Sequence, residues 1–239
     1  MKIAAHRGVS SLAPENTLAA FSKAPELGCE WIELDVQLTQ DDVPVVIHDK
    51  TVDRCTNDTG IVSEMTLESL KSLDAGSWFN ESYSDERIPT LEEVLLLAKE
   101  INLKVNIEIK LYPGDDIELL CEKINQVIND LDIQKNQLLF SCFNVEALRY
   151  MHSHQPLIRR GQLWEKIPND GALFLTEIAA FSVHCNYLHL NEKQAKKIKA
   201  AGYELYCYTA NVPEQVKSHW DWGVDMMMTD VPQAYFNDK

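Results

Sequence analysis

The feature that most constrains this 239-residue chain is an alternation of apolar runs of strand length with stretches of helical period. Strands are expected at Ile3–Arg7, Trp31–Val36, Val105–Ile109, Leu138–Phe143, Arg159–Leu163, Tyr187–Leu190, Glu204–Tyr208 and Met226–Thr229. Helices are expected between them, at Glu15–Leu27, Thr90–Glu100, Ile117–Leu131, Val145–Ser153, Thr176–Val183, Glu192–Ala201 and Pro213–Trp222. Thr90 with Glu93 reads as a capping box, and Gly28, Gly202 and Gly223 stand where helices would end. Eight strands separated by helical sequence predict an α/β fold, a (β/α)8 barrel, with an open doubly wound sheet as the alternative. No repeat, low-complexity tract or linker divides the chain, so one domain over residues 1–239 is expected.

One segment breaks the alternation. Val43–His48 follows the second strand after a short polar turn, too short for a parallel crossover. An antiparallel hairpin about Gln40-Asp41-Asp42 is therefore expected, bringing His48 back opposite Leu34 and Asp35. Residues Lys50–Arg87 show no clean period and read as an insertion, at about residues 50–88.

The charge balance sets aside some partners. Lys and Arg total 22 against 37 acids, a net charge of −15, whereas a nucleic-acid-binding face needs clustered cations. Affinity for anionic membranes should also be weak. Neither a signal-peptide pattern nor an apolar run long enough to span a bilayer is present, so a cytoplasmic location is expected. The six cysteines form no C-x-x-C pair and read as reduced core thiols, not disulfides or a zinc site.

Reactive side chains fall at strand ends. His6 and Arg7 end the first strand; Glu33 and Asp35 share one face of the second; Glu108 and Lys110 share one face at the end of the third. In a parallel barrel such positions converge on the C-terminal mouth, which places two histidines, three carboxylates, an Arg and a Lys in one cavity. Three carboxylates without a cysteine are hard oxygen ligands suited to Mg²⁺ or Ca²⁺. Like charges facing one another inside a barrel are unfavourable without a cation between them. The alternative is a structural ion-pair network with Arg7 and Lys110. His6 and His48 offer acid–base chemistry near neutral pH. His152, His154, His184, His189 and His219 read as structural or solvated.

The motifs His6-Arg7-Gly8, Pro14-Glu15-Asn16-Thr17, Glu33-Leu34-Asp35-Val36, Val45-Val46-Ile47-His48-Asp49, Arg54-Cys55-Thr56 and Asn106-Ile107-Glu108-Ile109-Lys110 together resemble the glycerophosphodiester phosphodiesterases. Thinner matches continue through Ser141 with Phe143, Tyr208-Thr209 with Asn211, and Thr229-Asp230. The order and spacing of these pieces make the resemblance specific, most densely over residues 6–110. It implies a TIM barrel with an insertion after the second strand and a divalent cation on Glu33, Asp35 and Glu108. His6 and His48 would be the catalytic acid–base pair, and Arg7 and Lys110 would hold phosphate. The expected reaction is metal-dependent hydrolysis of a small glycerophosphodiester to sn-glycerol 3-phosphate and an alcohol. Residue types leave acid and base unassigned; His6 as base, with His48 protonating the leaving group, is one arrangement. The chain departs from the family pattern at Asp41-Asp42, where Asp-Gly is favoured, at Tyr206-Cys207-Tyr208-Thr209 and at Met226-Met227-Met228. The last two touch the pocket wall and bear on substrate preference.

Further pocket candidates are Glu15, Asn16, Leu12, Phe143, Leu163, Trp164 and Tyr208. Trp78, Phe79 and Tyr83 of the insertion are either an apolar lid over the mouth or packing against the barrel. Competing readings are a lysophospholipid substrate, a non-catalytic binder of a phosphorylated ligand, and an isomerase or aldolase barrel. The last lacks an evident Schiff-base lysine. The net charge taken alone opposes an anionic substrate. Arg7, Lys110 and a cation on the three acids would nevertheless make the mouth locally positive.

Overall fold

A computed structural model describes residues 2–169 and 171–236. In chain order the elements are β1 (Lys2–His6), α1 (Leu18–Glu26), β2 (Trp31–Leu38), β3 (Pro44–Val46), α2 (Leu67–Ser72), α3 (Leu91–Glu100), β4 (Lys104–Ile109) and α4 (Ile117–Asp130). There follow β5 (Leu138–Cys142), α5 (Val145–His154), β6 (Arg159–Trp164), α6 (Ala172–Glu177), β7 (Ser182–Asn186), α7 (Glu192–Ala200), β8 (Glu204–Tyr208), α8 (Lys217–Asp221) and β9 (Met226–Thr229). The parallel strands run β1-β9-β8-β7-β6-β5-β4-β2, and pairing of β1 with β2 closes them into a (β/α)8 barrel. β3 lies outside the ring, antiparallel to β2, with Val36 opposite Val46. The Ile47 amide donates to the Asp35 carbonyl at 3.0 Å, so His48 returns beside Asp35 as the hairpin spacing requires.

Strand alternation divides the core in two. Ile32, Leu34, Val105, Ile107 and Phe140 point outward and pack on the helices, against Phe21, Leu91, Leu95, Leu120 and Ile124. Each such fully buried side chain contributes about 1.5–3 kcal/mol. The inward set, Ala4, Trp31, Leu139, Tyr206, Met226 and Met228, plugs the barrel. The insertion keeps a small core of its own on the back of the hairpin, including Val45, Ile47, Val52, Leu70 and Ile88.

Local chemistry sets several boundaries. The Thr90–Glu93 capping box is present. Asp42 sits at φ 59° in the hairpin turn, a left-handed position that Asp tolerates where Gly would be strain-free. The first helix starts at Leu18 rather than Glu15. Thr17 caps it, and Asn16, at φ 56°, cannot be part of a helical turn. Pro213–Val216 is a 3-10 turn leading into α8, so the last expected helix is split.

The seventh strand differs most from expectation. It runs Ser182–Asn186, and Tyr187–His189 is a 3-10 turn capped by Asn186. The preceding helix accordingly ends at Glu177, not Val183. This strand carries Ser182, His184 and Asn186 on its inward face, so its polar alternation gave no apolar run to recognise. His184 is therefore a buried strand residue and His189 a turn residue. All six cysteines are free and buried.

Candidate active site

At the C-terminal mouth of the barrel, Glu33, Asp35 and Glu108 each present a carboxylate oxygen within 4.8 Å of the others, all from buried side chains. β2 supplies the first two, and β4, in register with it (Asp35 opposite Glu108), supplies the third. Lys110 Nζ stands 2.9 Å from Glu108 and 3.4 Å from Asp35. Arg7 Nε stands 3.5 Å from Asp35, and its Nη1 donates to Glu15 at 2.8 Å. The ion pairs of the structural reading are therefore real, but they do not neutralise the trio. Glu33 Oε1 is buried with no hydrogen-bond partner among the described residues.

The titration behaviour follows from this imbalance. Burial, then the neighbouring Asp35 carboxylate, pushes Glu33 up to about 8. Burial and Asp35 also raise Glu108. Asp35 goes the other way: burial opposes its charge, but Lys110, Arg7 and His48, with a hydrogen bond from Asn16, together hold it below the ordinary range. An unpartnered buried carboxylate oxygen in an all-oxygen, negatively biased cluster fits a hard divalent cation.

The backbone is bent to build this arrangement. Arg7 adopts φ 56° immediately after β1, which turns its amide onto Glu33 Oε2 at 3.0 Å and its guanidinium toward Glu15 and Asp35. Gly8 follows at φ 80°, and a Cβ there would sit 2.7 Å from the Ala20 backbone, so only glycine lets α1 approach.

Each histidine is held by an aspartate. His6 Nδ1 and Asp230 Oδ1 lie 2.7 Å apart, and Asp230 is itself bonded by Asn211 and Ser10. His6 Nε2 then faces Glu33 Oε2 at 3.9 Å. His48 Nδ1 and Asp49 Oδ1 also lie 2.7 Å apart. The loop carrying His48 is fixed by Gln37, whose amide nitrogen donates to the Ile47, His48 and Asp49 carbonyls at 2.8–3.1 Å. Burial lowers the His6 pKa, but Glu33 and Asp230 outweigh it and the net shift is upward; at His48 burial prevails and the shift is downward.

These groups border one cavity of about 220 Å³, lined by His6, Arg7, Glu33, His48, Glu108 and Lys110, with Phe143, Leu163 and Tyr208 as its apolar wall. Asp35 lies beneath it. Glu15 sits behind Arg7, and Asn16 lies below, donating to Asp35 at 3.0 Å. Leu12 is exposed and Trp164 borders a different hollow. Trp78, Phe79 and Tyr83 pack edge to face at 5.8 Å, and the Tyr83 hydroxyl donates to the Leu12 carbonyl. None of the three borders the cavity, which favours the packing reading over a lid. The cavity wall also includes Thr209 and Met228, from the two departing segments expected to touch it, and Asn106 and Ser141, which stood in recognised motifs without a role. Asp49 and Asp230 stood in recognised motifs without a role. The signal for Asp49 was its adjacency to His48; Asp230, 224 positions from His6, had none beyond ending the last strand. A larger hollow of about 510 Å³ outside the barrel, beside α7, has no carboxylate or histidine among its described lining residues, so the chemistry belongs to the smaller one.

Fold and site together define a barrel hydrolase. Residues 6–234 match the Glycerophosphoryl diester phosphodiesterase family, and the chain belongs to it. A glycerophosphodiester phosphodiesterase of Caldanaerobacter subterraneus subsp. tengcongensis is 39% identical over 239 residues, covering 98% of this chain and 96% of its own. One from Bacillus subtilis is 32% identical over 98% of this chain and 85% of its own. Among solved structures, an Oleispira antarctica phosphodiesterase in complex with the product sn-glycerol-3-phosphate has a TM-score of 0.92 at 34% identity, covering 98% of this chain and 94% of its own. Like these relatives, the chain is a glycerophosphodiester phosphodiesterase. Among the described residues, no helix is long and apolar enough to cross a membrane.

Proposed function

We propose that the chain hydrolyses small glycerophosphodiesters to sn-glycerol 3-phosphate and an alcohol, using Glu33, Asp35 and Glu108 as ligands for Mg²⁺ or Ca²⁺ and His6 and His48 for proton transfer. The observation that carries this reading is the buried trio with its orphaned oxygen, set between two aspartate-braced histidines and two cations in one small cavity. The product complex of the Oleispira antarctica relative supports the glycerol phosphate product.

A phosphodiester resists attack because its own charge repels nucleophiles. Arg7 and Lys110 at the cavity wall are placed to pair with the non-bridging oxygens, and a bound cation would add to this neutralisation. Each histidine has Nδ1 committed to a carboxylate, which leaves Nε2 as the atom that takes a proton from the nucleophile or gives one to the leaving alkoxide. Such groups typically contribute ~10²–10⁴-fold each. Phe143, Leu163, Tyr208 and Met228 keep bulk water from one side of the reacting phosphorus.

A second reading concerns the glycerol arm. A hollow of about 430 Å³ adjoins Glu108 and Lys110 and is walled by Leu111, Tyr112, Pro113 and Phe143, which favours admission of an apolar arm such as that of a lysophospholipid. The test is a panel of glycerophosphodiesters and lysophospholipids, assayed with chelator and with added Mg²⁺ or Ca²⁺, with detection of the released alcohol for both classes and of glycerol 3-phosphate for the glycerophosphodiesters. Release of glycerol 3-phosphate without any divalent cation would refute the metal assignment, and wild-type turnover by both His6→Ala and His48→Ala would refute the histidines.

A further inference from the structure

Arg54, on the insertion, makes a double fork. Its Nε and Nη2 donate to the two Asp49 oxygens at 2.6 and 3.0 Å, and its Nη1 and Nη2 donate to the two Glu15 oxygens at 2.7 and 2.8 Å. Both carboxylates are already engaged with the site. Asp49 holds His48 Nδ1 at 2.7 Å, and Glu15 accepts from Arg7 Nη1 at 2.8 Å. The result is an unbroken chain, His48–Asp49–Arg54–Glu15–Arg7, which starts at the proposed proton-transfer group and ends at the proposed phosphate clamp. The two end residues come from different segments, the hairpin return and the loop after β1, with no backbone ladder between them. Arg54 is the group that ties those segments through side chains.

We propose that Arg54 is a positioning residue that fixes His48 relative to Arg7, an assignment that rests on the acid–base reading above. A planar guanidinium can satisfy two carboxylates in one geometry, whereas a lysine ammonium is a point charge on a flexible stem. Without the fork, the Glu15 and Asp49 carboxylates face each other with no cation between them. Asp49 is then free to rotate away from His48, and Glu15 retains Arg7 alone. Misplacement of a reacting group by about 1 Å costs roughly 10²-fold in rate. Arg54 is itself 45% exposed but holds two carboxylates in bidentate geometry, so its loss should lower the melting temperature by no more than a few degrees.

The test measures kcat, KM and melting temperature with glycerophosphocholine in saturating metal. The variants are Arg54→Ala, Arg54→Lys, Asp49→Asn, Arg54→Ala with Asp49→Asn, and His48→Ala. Arg54→Ala should lower kcat about 10–100-fold with KM within about threefold and melting within a few degrees. Arg54→Lys should keep the melting temperature yet recover only part of kcat, which keeps the test informative if Arg54→Ala folds poorly. Because Arg54 acts on His48 through Asp49, the double variant should fall no further than the worse single one. Wild-type kcat in Arg54→Lys, or losses that multiply in the double variant, would overturn the assignment. Full turnover by His48→Ala would instead show that the acid–base reading itself had failed.

Discussion

Glu33 allows a prediction whose sign reverses with metal. Its carboxyl is 2% exposed and pushed from an ordinary value of 4.5 up to about 8. Between those values the folded chain binds a proton that the unfolded chain does not. The Glu33 contribution to stability is therefore greatest below pH 4.5 and is lost between pH 4.5 and 8, by ~1.4 kcal/mol per unit. At pH 7 in chelator, the folded protein carries a cost of about 3 kcal/mol from this one group. Glu33→Gln keeps an oxygen to accept the Arg7 amide but never ionises. In chelator at pH 7 it should melt above wild type, by roughly 6–12 °C at the 2–4 °C per kcal/mol typical of this size. At pH 5 the advantage should shrink to below about 1 kcal/mol. With Mg²⁺ or Ca²⁺ at a thousand times its Kd, wild type should gain about 4.1 kcal/mol and the variant little, so the order inverts. Calorimetric melting at pH 5, 7 and 8.5, with chelator and with metal, checks all of this. A variant that melts at or below wild type in chelator at pH 7, or a gap that does not change with pH, would refute the argument.

His6→Ala and His48→Ala should each cost ~10²–10⁴-fold in turnover with little change in melting, read by steady-state rates beside a thermal scan. Asp230→Asn should lower kcat by about tenfold or more by loosening the His6 ring, with KM nearly unchanged. His184 is fully buried beside Ser182, and burial lowers its pKa to about 3. Being neutral when folded, it destabilises the chain as pH falls below 6.5, by about 2 kcal/mol at pH 5, and denaturant melts of wild type and His184→Gln should diverge over that range. Gly8→Ala, with its Cβ forced against Ala20 at positive φ, should lose about 2 kcal/mol or more in the same melts.

The barrel was legible because its outward strand faces are apolar and repeat between helical stripes. The trio and both histidines were legible because charged residues at strand ends have one place to converge. β7 was missed because its inward residues, Ser182, His184 and Asn186, line a polar section of the barrel, while its apolar outward residues are too few to form a run. The supports of the site were harder to read. Asp230 lies 224 positions from His6 and Arg54 lies 39 positions from Glu15, and no local period marks such pairings. Glu15 and Asn16 were picked as pocket residues, and the structure puts them one layer behind it, against Arg7 and Asp35.

The bond between His6 and Asp230 joins positions 224 residues apart, across the seam where β1 meets β9. That span makes the order of folding matter. Helices and neighbouring strands can assemble while the chain emerges from the ribosome, but His6 acquires its partner only after the last strand docks beside the first. Contacts of such separation form late because loop closure must precede them. Recovery of activity during refolding should thus trail recovery of helical signal, and a chain halted before β9 would be folded in large part yet inert toward phosphodiesters.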